Sequence, residues 1–313
     1  MFSVVFPGQG SQEVGMGKIF YERYNLVKNY FKEADETLNF PISKMILEGP
    51  ANELQLTKNT QPAILTVSYS IFKVLKEEFN FDFTSVKFFA GHSLGEYSAL
   101  VCSESLNFKD ALFLLHERGK AMQEAVPVGK GGMIAVLGLK FEEIELLLKK
   151  SEKLKGVCEI ANDNADGQVI VSGEKNTIDQ LQIILKEKKI KSIPLKVSAP
   201  FHCSLMKPAA NIMREKIDSV DFKNPTYKII NNVTANVEQN SNLIKKLLVE
   251  QIFSTVKWRE SLLKMSNLGV KNFVELGPGK ALTGMVKRTI KQANCFSINS
   301  ITDIKNLLDE FKK

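Results

Sequence analysis

The residues best suited to chemistry lie in one short stretch, Gly91-His92-Ser93-Leu94-Gly95, directly after an apolar run at positions 88–90. A helical pattern follows, so Ser93 is expected on a sharp turn between a strand and a helix, as in a nucleophile elbow. The two glycines tolerate the strained backbone of such a turn. Free N–H groups at the start of the helix can receive negative charge beside the hydroxyl. The alternative is an ordinary Gly/Ser turn that caps a helix.

A serine nucleophile needs a base, and the sequence holds only three histidines. His92 adjoins the serine, and successive side chains in a tight turn usually diverge. His116 lies off the apolar stripe of a predicted helix and is expected in solvent. His202, in a turn after a strand, is the remaining candidate. A neutral imidazole is the usual acceptor of a serine proton at neutral pH.

Arg118 stands where the apolar stripe of a helix should continue. That helix is predicted over 108–123, with Asn107 as its N-cap. A permanently charged guanidinium on a buried stripe is costly unless an anion meets it. Two interpretations stay open: Arg118 reaches from the edge of the stripe to a surface glutamate, or it binds the carboxylate of a ligand through two hydrogen bonds.

The glycine-rich loop at 7–12 follows a short apolar strand at 4–6. Ligands collect at such loops in open α/β sheets, and this one can offer backbone N–H groups and the amide of Gln9. It lacks the spacing of G-x-G-x-x-G and a later P-loop lysine, which excludes a nucleotide-binding fingerprint. A plain strand-to-helix turn is the alternative interpretation.

The elements that must position these residues form a series of strand, glycine loop and helix units. Such a series predicts an α/β fold with a mostly parallel sheet covered on both faces. Helices are also expected at 15–40 and at 60–80, the latter with Pro62 in its first turn. The pattern changes between 133 and 194, where the predicted elements are strand 133–137, helix 141–150, strand 157–162, strand 168–172, helix 178–187 and strand 190–194.

That order, β-α-β-β-α-β, is the ferredoxin-like arrangement. We therefore expect a large, hydrolase-like subdomain of residues 1–128 and 197–313. A small ferredoxin-like subdomain is inserted at 129–196, and its inner edge is expected to form one wall of a cleft over Ser93.

The composition is typical of a soluble globular protein and argues against several other classes. The chain has 313 residues, 44% of them hydrophobic and 25% charged, as in soluble globular proteins. Its start lacks the pattern of a signal peptide, and the uncharged window 59–72 is too short and polar to span a bilayer, so a cytoplasmic protein is expected. Four cysteines without C-x-x-C spacing argue against a zinc site or a disulfide framework.

The net charge is +7. The lysines are spread along helical surfaces without interleaved aromatic residues, which argues against nucleic acid. A basic surface also suits an acidic protein or a phosphate-bearing ligand, and a plain solvated surface is the alternative.

Together, motifs along almost the whole chain resemble those of the malonyl-CoA:acyl carrier protein transacylases of type II fatty acid synthesis. The matching residues are 5–12, Gln61-Pro62-Ala63, 91–96, Arg118-Gly119, Asn162, Asn164, Pro200-Phe201-His202, Asn231-Asn232-Val233, Gln251, Trp258 and 275–280.

The resemblance implies an acyl transfer in two steps. Ser93 attacks the thioester of malonyl-CoA while His202 takes its proton, and coenzyme A leaves. The phosphopantetheine thiol of acyl carrier protein then takes the malonyl group, which supplies fatty acid elongation. Malonyl-CoA is thus a substrate, and neither a bound cofactor nor a metal is expected.

The resemblance also implies roles for further residues. Backbone N–H groups of Gln9 and Leu94 form the oxyanion hole, Arg118 binds the malonyl carboxylate, and Gln251 orients His202. A substrate without the carboxylate should bind less well, so malonyl is expected over acetyl. Contacts with substrate or coenzyme A are expected from Asn162, Asn164 and His92.

The expected partners are the coenzyme A thioester and an acidic acyl carrier protein that docks on the basic surface of a monomer. Two other classes of protein are the alternatives. A serine hydrolase would place an acidic residue between Ser and His in the chain and needs no buried arginine. A catalytically idle scaffold that binds the carrier would lack Ser93 or His202, and both are present.

Overall fold

The computed structural model describes residues 1–197 and 199–311. Positions 198, 312 and 313, which belong to the predicted large subdomain, lie outside the described residues. The strands are β1 (Phe2–Phe6), β2 (Val86–Gly91), β3 (Gly131–Leu137), β4 (Cys158–Ala165), β5 (Gln168–Glu174), β6 (Lys191–Pro194), β7 (Ile229–Ile230), β8 (Val237–Glu238), β9 (Asn272–Leu276) and β10 (Asn294–Ile298). The helices are α1 (Lys18–Arg23), α2 (Asn25–Leu38), α3 (Ile42–Glu48), α4 (Ala51–Leu54), α5 (Thr57–Lys73), α6 (Gly95–Cys102), α7 (Phe108–Glu124), α8 (Phe141–Lys150), α9 (Lys175–Glu187), α10 (Lys207–Asp218), α11 (Ser241–Gln251), α12 (Trp258–Asn267), α13 (Ala281–Thr289) and α14 (Ile301–Phe311).

The larger sheet has the order β10-β9-β1-β2-β7-β8. Its strand pairs are parallel except β7 with β8, as the repeated units predicted. All five residues of β1 are buried, which is typical of a parallel strand covered on both faces. Because Phe6 pairs with Gly91 at the carboxyl ends of β1 and β2, the loops after these strands adjoin. This register brings the loop of Gln9 beside the turn of Ser93.

The smaller sheet has the order β4-β5-β3-β6, and all its pairs are antiparallel. Along the chain its elements run β3, α8, β4, β5, α9 and β6. A separate apolar cluster, which includes Val136, Val171 and Leu181, packs between this sheet and its two helices. Backbone hydrogen bonds from Asp163 to Val256 and from Val256 to Ala161 join β4 to the segment before α12.

Two helix predictions are wrong in detail. Residues 15–40 form two helices, because the backbone of Tyr24 is extended between α1 and α2. The helix expected at 60–80 begins earlier, at Thr57, and ends in a π-helical turn, Val74–Glu78. Pro62 therefore lies inside α5 instead of in its first turn.

The position of Pro62 also explains why His116 is not in solvent. Proline has no N–H to donate to the carbonyl four residues earlier, so the carbonyl of Lys58 is free of its helical partner. His116 Nδ1 lies 3.0 Å from that oxygen and donates to it. The bond ties α7 to α5, and His116 is half-buried between them. This pairing also sets Arg118 of α7 opposite Gln61 of α5.

The strand expected at 227–232 is short, since β7 contains only two residues. Asn231 ends it, because its side-chain oxygen accepts hydrogen bonds from the backbone N–H groups of Val233 and Thr234. No helix among the described residues has the length and apolar character needed to cross a membrane.

Candidate active site

Ser93 lies on a strained turn between β2 and α6. Its φ of 53° is in the left-handed region, which residues other than glycine rarely adopt. A Cβ on Gly91 would lie 1.9 Å from the backbone of Gly95, and one on Gly95 would lie 2.3 Å from the carbonyl oxygen of Phe6. Only glycine fits at both positions, so the elbow follows directly from the two glycines that flank the serine.

Two side-chain amides hold this turn in place. Asn232 accepts a hydrogen bond from the backbone N–H of Ser93 at 2.7 Å and donates to the carbonyl of Gly91 at 2.8 Å. Gln251 donates to the carbonyl of Ser93 at 3.1 Å. The bonds of Asn232 pair two buried backbone groups of the turn, and Gln251 adds a second donor to the Ser93 carbonyl, which also accepts from the N–H of Glu96.

The structure brings Ser93 and His202 together. Ser93 Oγ lies 2.8 Å from His202 Nε2, and His202 Nδ1 lies 2.8 Å from the backbone carbonyl oxygen of Gln251. A carbonyl oxygen can only accept, so Nδ1 carries the proton and Nε2 is free to accept from the serine hydroxyl. Gln251 thus contacts His202 through its backbone, while its side chain makes other contacts.

Burial, together with the nearby positive charge of Arg118, lowers the pKa of His202 to about 3. The hydrogen bond to the Gln251 carbonyl opposes this shift. A base with a lowered pKa stays neutral until the pH approaches the lowered value. His202 is therefore able to accept a proton throughout the neutral and mildly acidic range.

This gives a prediction on pH dependence. The rate at which an uncharged phosphonylating reagent modifies Ser93 is expected to stay level from about pH 8 to about pH 5, because His202 does not become protonated there. The measurement is the initial rate of covalent modification by intact mass, corrected for hydrolysis of the reagent without protein. A fall centred near about pH 6.5, where an ordinary histidine titrates, would contradict it.

Arg118 is buried, with 1% of its surface exposed. Its Nη1 donates to Gln61 Oε1 at 2.8 Å, and its Nη2 donates to Gln251 Oε1 at 2.8 Å and to Ser93 Oγ at 3.1 Å. Among the ion pairs of residues 1–197 and 199–311, none includes Arg118, and its Nε has no hydrogen-bond partner. The guanidinium does not reach a surface glutamate. Its direct hydrogen bonds go to two neutral amides and a hydroxyl, and the buried carboxyl of Glu96 acts on it only at longer range.

Ser93, Arg118 and His202 line one cavity of about 280 Å³. Apolar side chains from the smaller sheet and from α13, such as Ile170 and Met285, face the polar groups across it. Gln251, of the predicted site residues, lies behind this cavity. The others all line it: Gln9, His92, Ser93, Leu94, Arg118, Asn162, Asn164 and His202.

Gln9 and Leu94, on the loops after β1 and β2, both line this cavity. In the described part of the chain, neither backbone N–H donates to an acceptor. The Gln9 side chain turns away and donates to Thr57 Oγ1 at 3.3 Å. Two free donors beside a nucleophile can stabilise the negative charge that develops on a carbonyl oxygen under attack.

His92 connects the elbow to the smaller sheet. Its Nε2 lies 2.8 Å from Asn164 Oδ1, and its ring packs edge-on against Trp258. Burial lowers the pKa of His92. The register of β4 shifts between Ile160 and Asn162 and again between Asp163 and Ala165. Asn162 and Asn164 both line the cavity.

Three residues that contact this site had no role assigned from the sequence. All three, Gln61, Glu96 and Asn232, stood in the motifs quoted for the resemblance. Glu96 is 2% exposed and accepts hydrogen bonds from Gln251 Nε2 at 2.7 Å and from the backbone N–H of Asn232 at 3.1 Å. It is the one acidic side chain of α6, a helix whose residues are all buried. An acidic residue in such an apolar segment is the sequence feature that could have pointed to it.

Comparisons with known proteins identify the family of this chain. The acyl transferase domain model matches residues 3–311. A malonyl CoA-acyl carrier protein transacylase of Bacillus subtilis is 42% identical over 99% of this chain and 96% of its own length. One from Haemophilus influenzae is 41% identical over 99% of this chain and 98% of its own.

Solved structures of related proteins superpose closely on this chain. An acyl-carrier-protein S-malonyltransferase from Bartonella henselae superposes with a TM-score of 0.96 at 39% identity, with both chains fully covered. A malonyl-transacylase solved in complex with its type II polyketide synthase acyl carrier protein has a TM-score of 0.94 at 37% identity over 99% of each chain. The chain belongs to the acyl transferase domain family and, within it, to the malonyl CoA-acyl carrier protein transacylases.

Proposed function

We propose that this protein transfers the malonyl group of malonyl-CoA to the phosphopantetheine thiol of acyl carrier protein through a malonyl ester of Ser93. The supporting observation is that Ser93 Oγ lies 2.8 Å from His202 Nε2 and 3.1 Å from Arg118 Nη2 in one cavity. A nucleophile, its base and a cation for the free carboxylate thus meet at one oxygen. The product, malonyl-acyl carrier protein, would supply fatty acid elongation.

In the first step, His202 Nε2 takes the proton of Ser93 as Oγ attacks the thioester carbonyl. The N–H groups of Gln9 and Leu94 hold the oxyanion of the tetrahedral intermediate. Collapse of the intermediate breaks the carbon–sulfur bond, and His202 returns its proton to the thiolate of coenzyme A. The Gln251 carbonyl stabilises the imidazolium that exists between these two transfers.

The second step reverses the roles. His202, neutral again, takes the proton of the phosphopantetheine thiol, and the sulfur attacks the malonyl ester. The same oxyanion donors act, the bond to Ser93 Oγ breaks, and the serine recovers the proton from His202. The enzyme returns to its starting state without a resident cofactor.

Arg118 sets the acyl group that is transferred. The guanidinium would exchange part of its contact with neutral amides for the malonyl carboxylate, held by paired hydrogen bonds. An acetyl group leaves the buried cation without that anion. A malonyl group is therefore bound and oriented better than an acetyl group of otherwise similar reactivity.

The smaller sheet belongs to this proposal as an inserted ferredoxin-like subdomain at 129–196 within a large subdomain of 1–128 and 197–313. The chain order β3, α8, β4, β5, α9, β6 and the separate apolar cluster support this division. Asn162 and Asn164 of β4 would then contact substrate or coenzyme A from the wall opposite Ser93. His92 would support that wall through Asn164.

The function is tested by intact-mass measurement after brief exposure to malonyl-CoA. The protein should gain the mass of one malonyl group and lose it when the phosphopantetheinylated carrier is added, while malonyl-carrier appears. An adduct that water removes as fast as the carrier does would indicate a serine hydrolase instead. No adduct at all would contradict the proposed function.

The partner is proposed to be an acidic carrier that docks on the basic surface of a monomer, in keeping with the net charge of +7. We expect the KM for the carrier to rise several-fold between about 0.05 M and about 0.5 M salt, because salt screens exposed charges. Transfer to pantetheine, an uncharged thiol, serves as the control and should change much less. A KM for the carrier that is insensitive to salt would contradict this docking mode.

A further inference from the structure

Glu96 is a buried carboxylate directly behind the candidate site. It lies in the first turn of α6, three residues after Ser93, and 2% of its surface is exposed. It is not among the residues that line the cavity, so it does not reach a bound substrate. Its contacts lead instead to Gln251 and Asn232.

The amide of Gln251 is held in one orientation. Its nitrogen faces three acceptors: Glu96 Oε2 at 2.7 Å, the carbonyl of Ser93 at 3.1 Å and Asn232 Oδ1 at 3.4 Å. Its oxygen accepts from Arg118 Nη2 at 2.8 Å. If the amide turned over, its NH₂ group would face the guanidinium and its oxygen would face the carboxylate. The contact with the guanidinium would then be repulsive, and so would the contact with Glu96 whenever its carboxyl is ionised.

The bond from Glu96 is the shortest of the three and the one that can involve a charged acceptor, which strengthens it. Burial raises the pKa of Glu96 to about 7. Near neutral pH the side chain therefore occurs in both forms, and Oε2 accepts in each when the proton is on Oε1. Glu96 can hold the amide in either state.

We propose that Glu96 is a positioning residue that acts through the side-chain amide of Gln251 to hold Arg118 for the carboxylate of the acyl substrate. This inference rests on the proposed function. The His202 contact uses the backbone carbonyl of Gln251, which does not depend on the orientation of the side-chain amide. Loss of Glu96 should therefore affect recognition of the carboxylate more than the reactivity of Ser93.

The test compares kcat/KM for malonyl-CoA and acetyl-CoA in two variants. Glu96→Leu removes the acceptor, and it should lower the malonyl value by about tenfold while the acetyl value stays within about twofold. Glu96→Gln keeps an amide oxygen at the position of Oε2 and should restore the malonyl-to-acetyl ratio. Thermal unfolding of each variant shows that it is folded.

A double-mutant cycle tests whether the effect passes through Gln251. Gln251→Ala keeps the backbone carbonyl that orients His202 but removes the amide. Glu96→Leu should change the malonyl-to-acetyl ratio no further in that background. An equal, independent loss in the double variant would overturn the inference, since Glu96 would then act by another route.

The outcomes separate this inference from the proposed function. Wild-type protein that forms no malonyl adduct contradicts the function itself. A selective wild type with an unchanged ratio in Glu96→Leu overturns only the role of Glu96. If Glu96→Leu does not fold, Glu96→Gln decides, because a tenfold fall in the ratio despite the retained acceptor would contradict the inference. Equal losses of malonyl transfer, acetyl transfer and phosphonylation would indicate a general effect on the elbow through Asn232, which also contradicts it.

Discussion

Replacement of Ser93 by alanine is expected to abolish the covalent malonyl-enzyme and to lower malonyl transfer by at least about 10⁴-fold. The hydroxyl is the only group in the cavity that lies within hydrogen-bonding distance of both His202 and Arg118 among the described residues. Without it, His202 has no nucleophile to activate, although coenzyme A thioesters can still bind. The effect should therefore fall on kcat.

A matched control is available one turn further along α6. Ser98 is fully buried, and its hydroxyl has no hydrogen-bond partner in the described structure. Ser98→Ala should keep both adduct formation and transfer, which intact-mass and steady-state measurements will show. If the Ser93→Ala protein still gained a malonyl group at the wild-type rate, another residue would be the nucleophile and the assignment of Ser93 would be disproved.

The second large effect is expected from Arg118→Ala. Loss of a desolvated cation that pairs with a substrate charge is worth about 2–5 kcal/mol, so kcat/KM for malonyl-CoA should fall by about 30-fold to about 5,000-fold. Acetyl-CoA lacks the carboxylate and should lose far less, so that the preference for malonyl disappears. Lysine should not restore it, because one ammonium cannot reproduce the planar set of bonds to Gln61, Gln251 and the ligand.

The control for charge is Arg23→Ala, which removes an exposed arginine in α1. It should leave the malonyl-to-acetyl ratio unchanged. Since Arg118→Ala also leaves two buried amide oxygens without their donor, thermal unfolding must accompany the kinetics. A folded Arg118→Ala protein with the wild-type ratio would remove Arg118 from substrate recognition.

The secondary structure was largely predictable because it depends on local pattern. The buried apolar run before each glycine loop and the N-cap at Asn107 are found where expected, and Asn107 Oδ1 accepts from the N–H of Asp110. One error came where a distant contact replaced a local bond. Pro62 is accommodated inside α5, where the carbonyl it leaves unpaired is met by His116, 58 residues away. No local pattern around residue 62 reports that donor.

In the candidate site, too, the local sequence indicates some features, whereas the fold alone decides which residues meet. The strained conformation of Ser93 follows from Gly91 and Gly95, since a Cβ at either position would overlap the neighbouring backbone. The buried charge of Arg118 was visible as a break in an apolar stripe. Glu96 is the one acidic side chain of the buried helix α6, but nothing near it in the chain shows that Gln251 is its partner.

The sequence alone predicted the elbow, the helix that carries Arg118 and the choice of His202 among three histidines. Backbone sterics and helical periodicity act over a few residues, so local patterns report them. The distances between the site residues could not be predicted in this way. Ser93 meets His202 across 109 positions, and the amide of Gln251 meets the backbone of Ser93 across 158. Hydrogen bonds over such separations depend on how the sheet and its helices pack, and packing alone turned Gln251 toward Arg118 and placed Glu96 behind it.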